Sequence, residues 1–180
     1  VYGETLVALG AENPRIVVCE ADLGKSTMTY AFERAYPDRY FEMGIAEANM
    51  TSFAAGLSLT GKVAFTNSFA VFAGGRAYDQ IRQGIAIGGL NVKVVGSSAG
   101  LSDFGDGATH QSVEDIAIMR AIPNMTVLVP ADAPQLRRMV EWMVAYDGPV
   151  YLRMSRNDLP EVTGPADSVL RPTMLRLLAA

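Results

Sequence analysis

Short runs of β-branched and aliphatic residues alternate with longer helix-like segments along most of this chain. Several of the short runs are nearly continuous Val, Ile and Leu, as expected when helices cover both faces of a sheet. Alternating strands and helices imply parallel strands joined by right-handed crossovers. The sequence therefore predicts a doubly wound α/β fold, with a mostly parallel six-stranded sheet and helices on both faces. The predicted strands are 15–20, 39–43, 62–68, 92–97, 125–130 and 149–154, and the predicted helices are 2–11, 28–35, 46–59, 72–87, 113–121 and 133–146.

The ends of the chain suggest part of something larger. It begins at Val1 rather than at a methionine, directly within a helix-like segment. We assign residues 1–160 to one domain and residues 161–180 to a linker or truncated tail. We expect this domain to come from a longer protein or a larger assembly.

The composition and charge of the chain argue against some classes of binding partner. Of 180 residues, 49% are hydrophobic and the formal net charge is -4, which is typical of a globular domain. The absence of a Lys/Arg stripe argues against nucleic acid as the main partner. No apolar run reaches the ~18 residues of a membrane span, so we expect no membrane association and a cytoplasmic location. Cys19 is the only cysteine, and it ends an apolar run, which predicts buried packing.

The polar and glycine-rich segments follow the predicted strands. In open α/β sheets, ligands bind beyond the carboxyl ends of the strands, so these segments should hold the functional site. The segments are 21–26, 44–47, 68–72, 97–111, 130–132 and 155–160.

Glu47 lies among small and apolar residues in FEMGIAEANM (41–50). A charge in an apolar setting is costly unless it is paired or neutralised. One interpretation is a carboxylate favoured by the N-terminus of a helix, by roughly 0.3–1 kcal/mol. The other is a partly desolvated carboxyl group that holds or shares a proton during catalysis.

Other candidates stand in the same segments. His110 is the only histidine, and it is either structural or catalytic; Asp106 is placed to orient it or to bind substrate. Phe69 and Phe72 fit either a core or a slot for a flat heterocycle. Arg156 suits an anion. The dinucleotide and P-loop fingerprints are both absent.

Together these segments resemble the pyrimidine-binding domain of transketolases, and most closely the carboxyl-terminal subunit of split, two-gene transketolases of bacteria and archaea. The resemblance covers roughly residues 1–160 and implies the thiamine-diphosphate-binding fold. The motifs that carry it, in order, are ADLGKST (21–27), PDRYFEMGIAEANM (37–50), FAVFAGGRAYDQIR (69–82), GDGATHQSVEDIAIMRAIPNM (105–125), VPAD (129–132) and YLRMSRNDLP (151–160).

The resemblance also implies roles. Glu47 matches the glutamate that hydrogen-bonds a ring nitrogen of the thiamine aminopyrimidine and so activates the cofactor. Phe69 and Phe72 match the aromatic pocket around the pyrimidine, and Asp22 matches an acid near the cofactor. The substrate-contacting positions match as well, with Asp106 and His110 at sugar hydroxyls and Ser26 and Arg156 at the phosphate.

The activity implied is transfer of a two-carbon ketol unit from a ketose to an aldose. The family's GDG…NN metal motif is missing here, so thiamine diphosphate would be shared with a diphosphate-binding domain or subunit that holds Mg²⁺ or Ca²⁺. We predict no metal ligands in this chain, an inactive isolated domain, and a homodimer or heterotetramer in the assembly. A 1-deoxyxylulose-phosphate-synthase-like enzyme, a 2-oxoacid-dehydrogenase-beta-like enzyme and a non-catalytic assembly module remain alternatives.

The sequence departs from the family pattern in the loop after the fourth strand. Ser98 stands where transketolases usually carry a second, phosphate-binding histidine, and Phe104 adds bulk to the loop. Both departures point to a non-standard donor or acceptor sugar.

Overall fold

The computed structural model describes residues 1–164 and contains one six-stranded sheet with the order β2-β1-β3-β4-β6-β5. All neighbouring strands pair in parallel, which confirms the predicted α/β class and all the predicted strands. The predicted boundary at 160–161 lies near the end of the described chain, and residues 165–180 of the predicted tail lie outside it. The strands are β1 (Ile16–Glu20), β2 (Tyr40–Glu42), β3 (Val63–Phe69), β4 (Val92–Ser97), β5 (Thr126–Leu128) and β6 (Val150–Arg153).

Helices cover both faces of the sheet because the strand side chains alternate between two apolar layers. In β1, Val17 and Cys19 join one buried cluster and Ile16 and Val18 join the other. The helices are α1 (Tyr2–Glu12), α2 (Gly24–Thr27), α3 (Tyr30–Ala35), α4 (Glu47–Leu59), α5 (Ala70–Gly75), the π-helix Gln80–Ala86, α6 (Asp115–Arg120) and α7 (Ala133–Ala145). The first cluster packs under α4, α5, α6 and the π-helix, and the second under α1, α3 and α7.

The helix predicted over 72–87 is wrong in its continuity. Helix α5 ends at Gly75, and a separate π-helix follows from Gln80. Adjacent glycines at 74 and 75 explain the break, because glycine is a poor helix former. The helix predicted over 28–35 begins only at Tyr30, since Met28 takes a left-handed conformation with φ of 66°.

Other local signals are confirmed. The Asp132 carboxylate accepts a hydrogen bond from the Gln135 backbone N–H at 2.9 Å and caps α7, with Pro134 in the first turn. Cys19 is buried as expected, and burial raises the pKa of its thiol to about 12. On α7, Trp142 stacks on Tyr146 with ring centroids 4.5 Å apart. Within residues 1–164, no helix combines the length and apolar character needed to cross a membrane.

The strand order places a topological switch at the centre of the sheet. From β1 the chain moves outward to β2, then returns to the other side of β1 as β3. Connections leaving two adjacent strands in opposite directions open a crevice at their carboxyl ends. The described structure therefore offers a ligand site between the loops that follow β1 and β3.

Candidate functional site

Two strained loop residues mark this carboxyl edge. Asp22 follows β1 with φ of 59°, and Ser98 follows β4 with φ of 52°. Left-handed conformations are uncommon for residues other than glycine and often occur at functional sites. The Asp22 backbone is held in place because its N–H donates to the Glu42 carboxylate at 2.8 Å.

Glu47 is the first residue of α4, and its side chain is only 3% exposed. One oxygen, Oε1, accepts a hydrogen bond from Arg76 Nη1 at 3.0 Å. The Arg76 side chain is 51% exposed, so the pair joins a buried carboxylate to a cation that still contacts water. The ion pair offsets the free-energy cost of burying the Glu47 carboxylate, although Arg76 itself stays accessible to water.

Aromatic rings continue from Arg76 across the edge. The Arg76 guanidinium carbon lies 4.0 Å from the centroid of Phe72, a cation–π contact. Phe72 and Phe69 lie nearly parallel, with centroids 6.2 Å apart. The His110 ring meets both edge-on, at 5.1 Å from Phe72 and 6.0 Å from Phe69. We call Glu47, Arg76, Phe72, Phe69 and His110 the ring cluster.

His110 is oriented by its neighbour rather than by Asp106. Its Nδ1 lies 2.8 Å from the Thr109 hydroxyl. Asp106 instead lies 3.8 Å from Arg156 Nη1. The suggestion that Asp106 orients the imidazole finds no support in this geometry, and its other suggested role, substrate binding, stays a prediction.

Arg156 is held by a buried carboxylate. Its Nη1 donates to both oxygens of Asp103 at 3.0 Å, and Asp103 is fully buried. The Arg156 side chain itself remains 44% exposed. Because Asp103 contacts Arg156 through Nη1, the other guanidinium nitrogen atoms are available to an anion.

Arg156 and Ser26 line one cavity of about 200 Å³. Ser98 and Asp132 lie on its wall as well. Desolvation raises the pKa of Asp132, but hydrogen bonds from Gln135, Thr163 and Val162 outweigh it and hold the pKa well below its ordinary value. The polar groups on its wall include the Arg156 guanidinium, the ionised Asp132 carboxylate and the hydroxyls of Ser26 and Ser98.

Ser26 lines this cavity from α2, a short helix that is hydrogen-bonded to the buried carboxylate of Glu20. The Glu20 carboxylate, at the end of β1, accepts hydrogen bonds from the hydroxyls of Thr27 at 2.7 Å and Thr29 at 2.5 Å. Burial raises the pKa of Glu20 to about 7, although both threonine hydrogen bonds and the Ala21 N–H lower it. Glu20 thus anchors the segment that carries Ser26.

The sequence candidates fall into two groups and one outlier. Glu47, Phe69, Phe72 and His110 meet in the ring cluster, while Ser26 and Arg156 line the cavity and Asp106 lies 3.8 Å from Arg156. Asp22 is exposed, and within residues 1–164 no hydrogen bond or ion pair joins its side chain to the other candidates.

Sequence reasoning missed Arg76, Asp103 and Glu20 as members of the site. Arg76 was detectable, because it stands four residues after Phe72 and side chains at that spacing meet on a helix. Asp103 and Glu20 carry no comparable local signal, since their partners lie in other loops. Within the described chain, no cluster of three or more His, Cys, Asp or Glu side chains has a geometry that could hold a metal ion.

A buried carboxylate beside parallel aromatic rings can bind a flat nitrogen heterocycle, with the carboxylate at a ring nitrogen and the rings on its faces. A family model described as the transketolase pyrimidine-binding domain matches residues 1–162.

The chain belongs to the transketolase family.

Individual relatives agree with this assignment of a transketolase pyrimidine-binding domain. A Methanocaldococcus jannaschii protein, provisionally named a transketolase C-terminal section, is 50% identical over 157 residues, covering 87% of this chain and 50% of that protein. A 6-deoxy-6-sulfo-D-fructose transketolase subunit from a Clostridium species is 44% identical over 155 residues, covering 86% of this chain and 48% of its own length. The structure titled "Split gene transketolase, inactive beta4 tetramer" superposes with a TM-score of 0.80 at 51% identity, covering 91% of this chain and 53% of that one.

These matches confirm the predicted resemblance to the carboxyl-terminal subunit of split transketolases. They also show that this pyrimidine-binding domain spans about half the length of the curated relatives it matches.

Proposed function

We propose that this chain supplies the pyrimidine-binding half of a thiamine-diphosphate-dependent transketolase site. The observation that carries the proposal is the Glu47 carboxylate, buried at the carboxyl edge and linked through Arg76 to the rings of Phe72 and Phe69. When bound, thiamine diphosphate supplies the electron sink that allows a two-carbon ketol unit to pass from a ketose to an aldose.

The residues present fit the aminopyrimidine end of that cofactor. Glu47 is placed to hold or move a proton at a ring nitrogen, which is general acid–base work. Phe69 and Phe72 offer flat apolar surfaces for the ring, and burial keeps water away from the Glu47 carboxyl group. Asp22, at the adjoining loop, is assigned to the neighbourhood of the cofactor.

The cavity is assigned to the sugar substrate. Ser26 and Arg156 are placed to bind a phosphate or another terminal anion, because Asp103 fixes the guanidinium from below. His110, in the ring cluster, and Asp106, close to Arg156, are assigned to the sugar hydroxyls. Ser98 lines the same cavity with a hydroxyl where the family pattern has an imidazole, which supports a non-standard sugar.

The proposal includes a partner. A diphosphate-binding domain or subunit would complete the site and hold Mg²⁺ or Ca²⁺, in a homodimeric or heterotetrameric assembly. The word "subunit" in the name of the Clostridium relative supports such a division of the site between chains. We also propose a cytoplasmic location, which is consistent with a single, buried cysteine.

The test is a reconstituted assay. The full-length chain is combined with its diphosphate-binding partner, thiamine diphosphate and Mg²⁺, and consumption of xylulose 5-phosphate or fructose 6-phosphate is followed with a panel of aldoses. We expect aldose-dependent ketose consumption. Absence of turnover across the panel would contradict ketol transfer, and release of CO₂ from pyruvate would instead indicate the 1-deoxyxylulose-phosphate-synthase-like alternative.

A further inference from the structure

Arg76 contacts both groups that the proposed function assigns to the pyrimidine. Its Nη1 lies 3.0 Å from Glu47 Oε1, and its guanidinium carbon lies 4.0 Å from the centroid of the Phe72 ring. A planar, nitrogen-rich cation thus takes the same two contacts, carboxylate and aromatic face, that a planar aminopyrimidine would take. Arg76 imitates the ligand chemically.

The physical role of Arg76 follows from the burial of Glu47. Glu47 is almost fully buried, and an unpaired carboxylate in that position would be costly. Arg76 removes this cost while lying in the turn after α5, where its own backbone N–H donates to the Phe72 carbonyl at 3.1 Å. This backbone hydrogen bond keeps the side chains of Arg76 and Phe72 close together.

The guanidinium is also free to leave. Half of the Arg76 side chain is exposed, so rotation into water restores its hydration without unfolding any element. The bound pyrimidine would take over the contact with Glu47, so the buried carboxylate would keep a partner when the guanidinium leaves. Displacement is therefore compatible with an intact fold.

We propose that Arg76 is a positioning residue that occupies the pyrimidine position of the free chain and must be displaced when the cofactor binds. This inference rests on the proposed function, since it assumes that Glu47 and Phe72 receive the pyrimidine. A ligand that replaces an existing partner binds with an affinity reduced by the strength of that partner's contacts. Arg76 then sets the affinity of the site as well as preserving its shape.

The test measures binding rather than turnover. Thiamine diphosphate is titrated calorimetrically, with Mg²⁺, into the full-length chain assembled with its diphosphate-binding partner. For Arg76→Ala we expect the Kd to fall by ~3-fold or more, because the cofactor no longer has to displace an ion pair with a half-exposed guanidinium and a cation–π contact. The melting temperature of the cofactor-free assembly should fall at the same time. Arg82→Ala is the matched control, because Arg82 is exposed on the π-helix; neither quantity should change.

The opposite result is equally clear. An unchanged or raised Kd in Arg76→Ala would overturn the inference, because a residue that merely supports the site weakens binding when it is removed. Arg76→Gln, which keeps a hydrogen-bond donor without the charge, serves as the second variant if the alanine protein does not fold, and the same criterion applies to it. If the wild-type assembly binds no thiamine diphosphate, the proposed function itself fails, which is a different outcome from binding that ignores Arg76.

Discussion

At the scale of single residues, Glu47 shows how much a local pattern can predict. Its apolar neighbours indicate a carboxylate that is buried, and the structure confirms the burial. The spacing to Phe72 made Arg76 detectable, but its pairing with Glu47 was not, because Arg76 lies 29 residues away, just after a helix whose end was predicted wrongly. The neighbouring residues in the sequence predict that Glu47 is buried, whereas the partner that offsets the cost of this burial is brought there by the fold.

Glu47→Gln is the direct test of the carboxyl group. The amide keeps a carbonyl oxygen for Arg76 but cannot exchange a proton, so we expect the ketol-transfer rate to fall by at least ~10²-fold, a size typical of lost acid–base help. Thermal stability should change little. Steady-state rates and melting curves of the reconstituted enzyme measure both quantities.

Glu141→Gln provides the control for that experiment, because Glu141 is exposed on α7. Its rate should match the wild type. A Glu47→Gln enzyme with wild-type activity would favour the view that the chain is a non-catalytic assembly module.

At the scale of elements, the loop after β1 is built on a buried acid. Glu20 ties Thr27 and Thr29 together beneath α2, and the groups facing it include Tyr2 of α1 and Tyr40 and Glu42 of β2. This helix was not predicted, because its four residues, GKST, are too few for a periodic pattern. The long strands and α4 were predicted well, since each carries a full apolar run or a clear end signal.

A pH dependence follows from Glu20. Its pKa rises from an ordinary value of 4.5 to about 7 on folding, mainly through burial, so the folded state binds a proton more tightly than the unfolded state. The stabilisation from that proton is complete below pH 4.5 and is lost as pH rises through about 7. Over this window the loss is on the order of 3 kcal/mol.

The measurement is the free energy of unfolding by urea between pH 4.5 and 8, for the wild type and Glu20→Gln. The variant should lack this loss, so that its stability relative to the wild type improves as pH rises. Glu33→Gln, at an exposed position of α3, should follow the wild-type profile. Parallel profiles for wild type and Glu20→Gln would show that Glu20 does not titrate in this range.

At the scale of the whole molecule, the domain presents an open edge rather than an enclosed site. The ring cluster and the cavity lie at the carboxyl edge of the sheet, and several large apolar side chains in the loops there are exposed, Leu101, Phe104 and Val113 among them. The bulk of Phe104 was noticed from the sequence, whereas its 78% exposure required the structure. Exposed apolar groups around a half-site fit a surface completed by another chain.

Because the chain supplies only half of the proposed site, we expect it to bind thiamine diphosphate weakly when it is alone. Without a diphosphate-binding partner, only the pyrimidine end of the cofactor finds contacts, and these must offset the full entropic cost of association. Titration calorimetry of the isolated chain should therefore show binding weaker than micromolar, or none. Adding the partner should restore tight, Mg²⁺-dependent binding, and micromolar affinity of the isolated chain would contradict a shared site.

The stacking of Trp142 on Tyr146 has a spectroscopic consequence. Trp142 is the only tryptophan, and α7 packs on the opposite face of the sheet from α4 and the ring cluster. Its fluorescence therefore reports separation of α7 from the sheet and is insensitive to occupancy beside Glu47. A tryptophan introduced at the carboxyl edge of a Trp142→Phe variant would report ligand capture, free of the overlapping emission of Trp142.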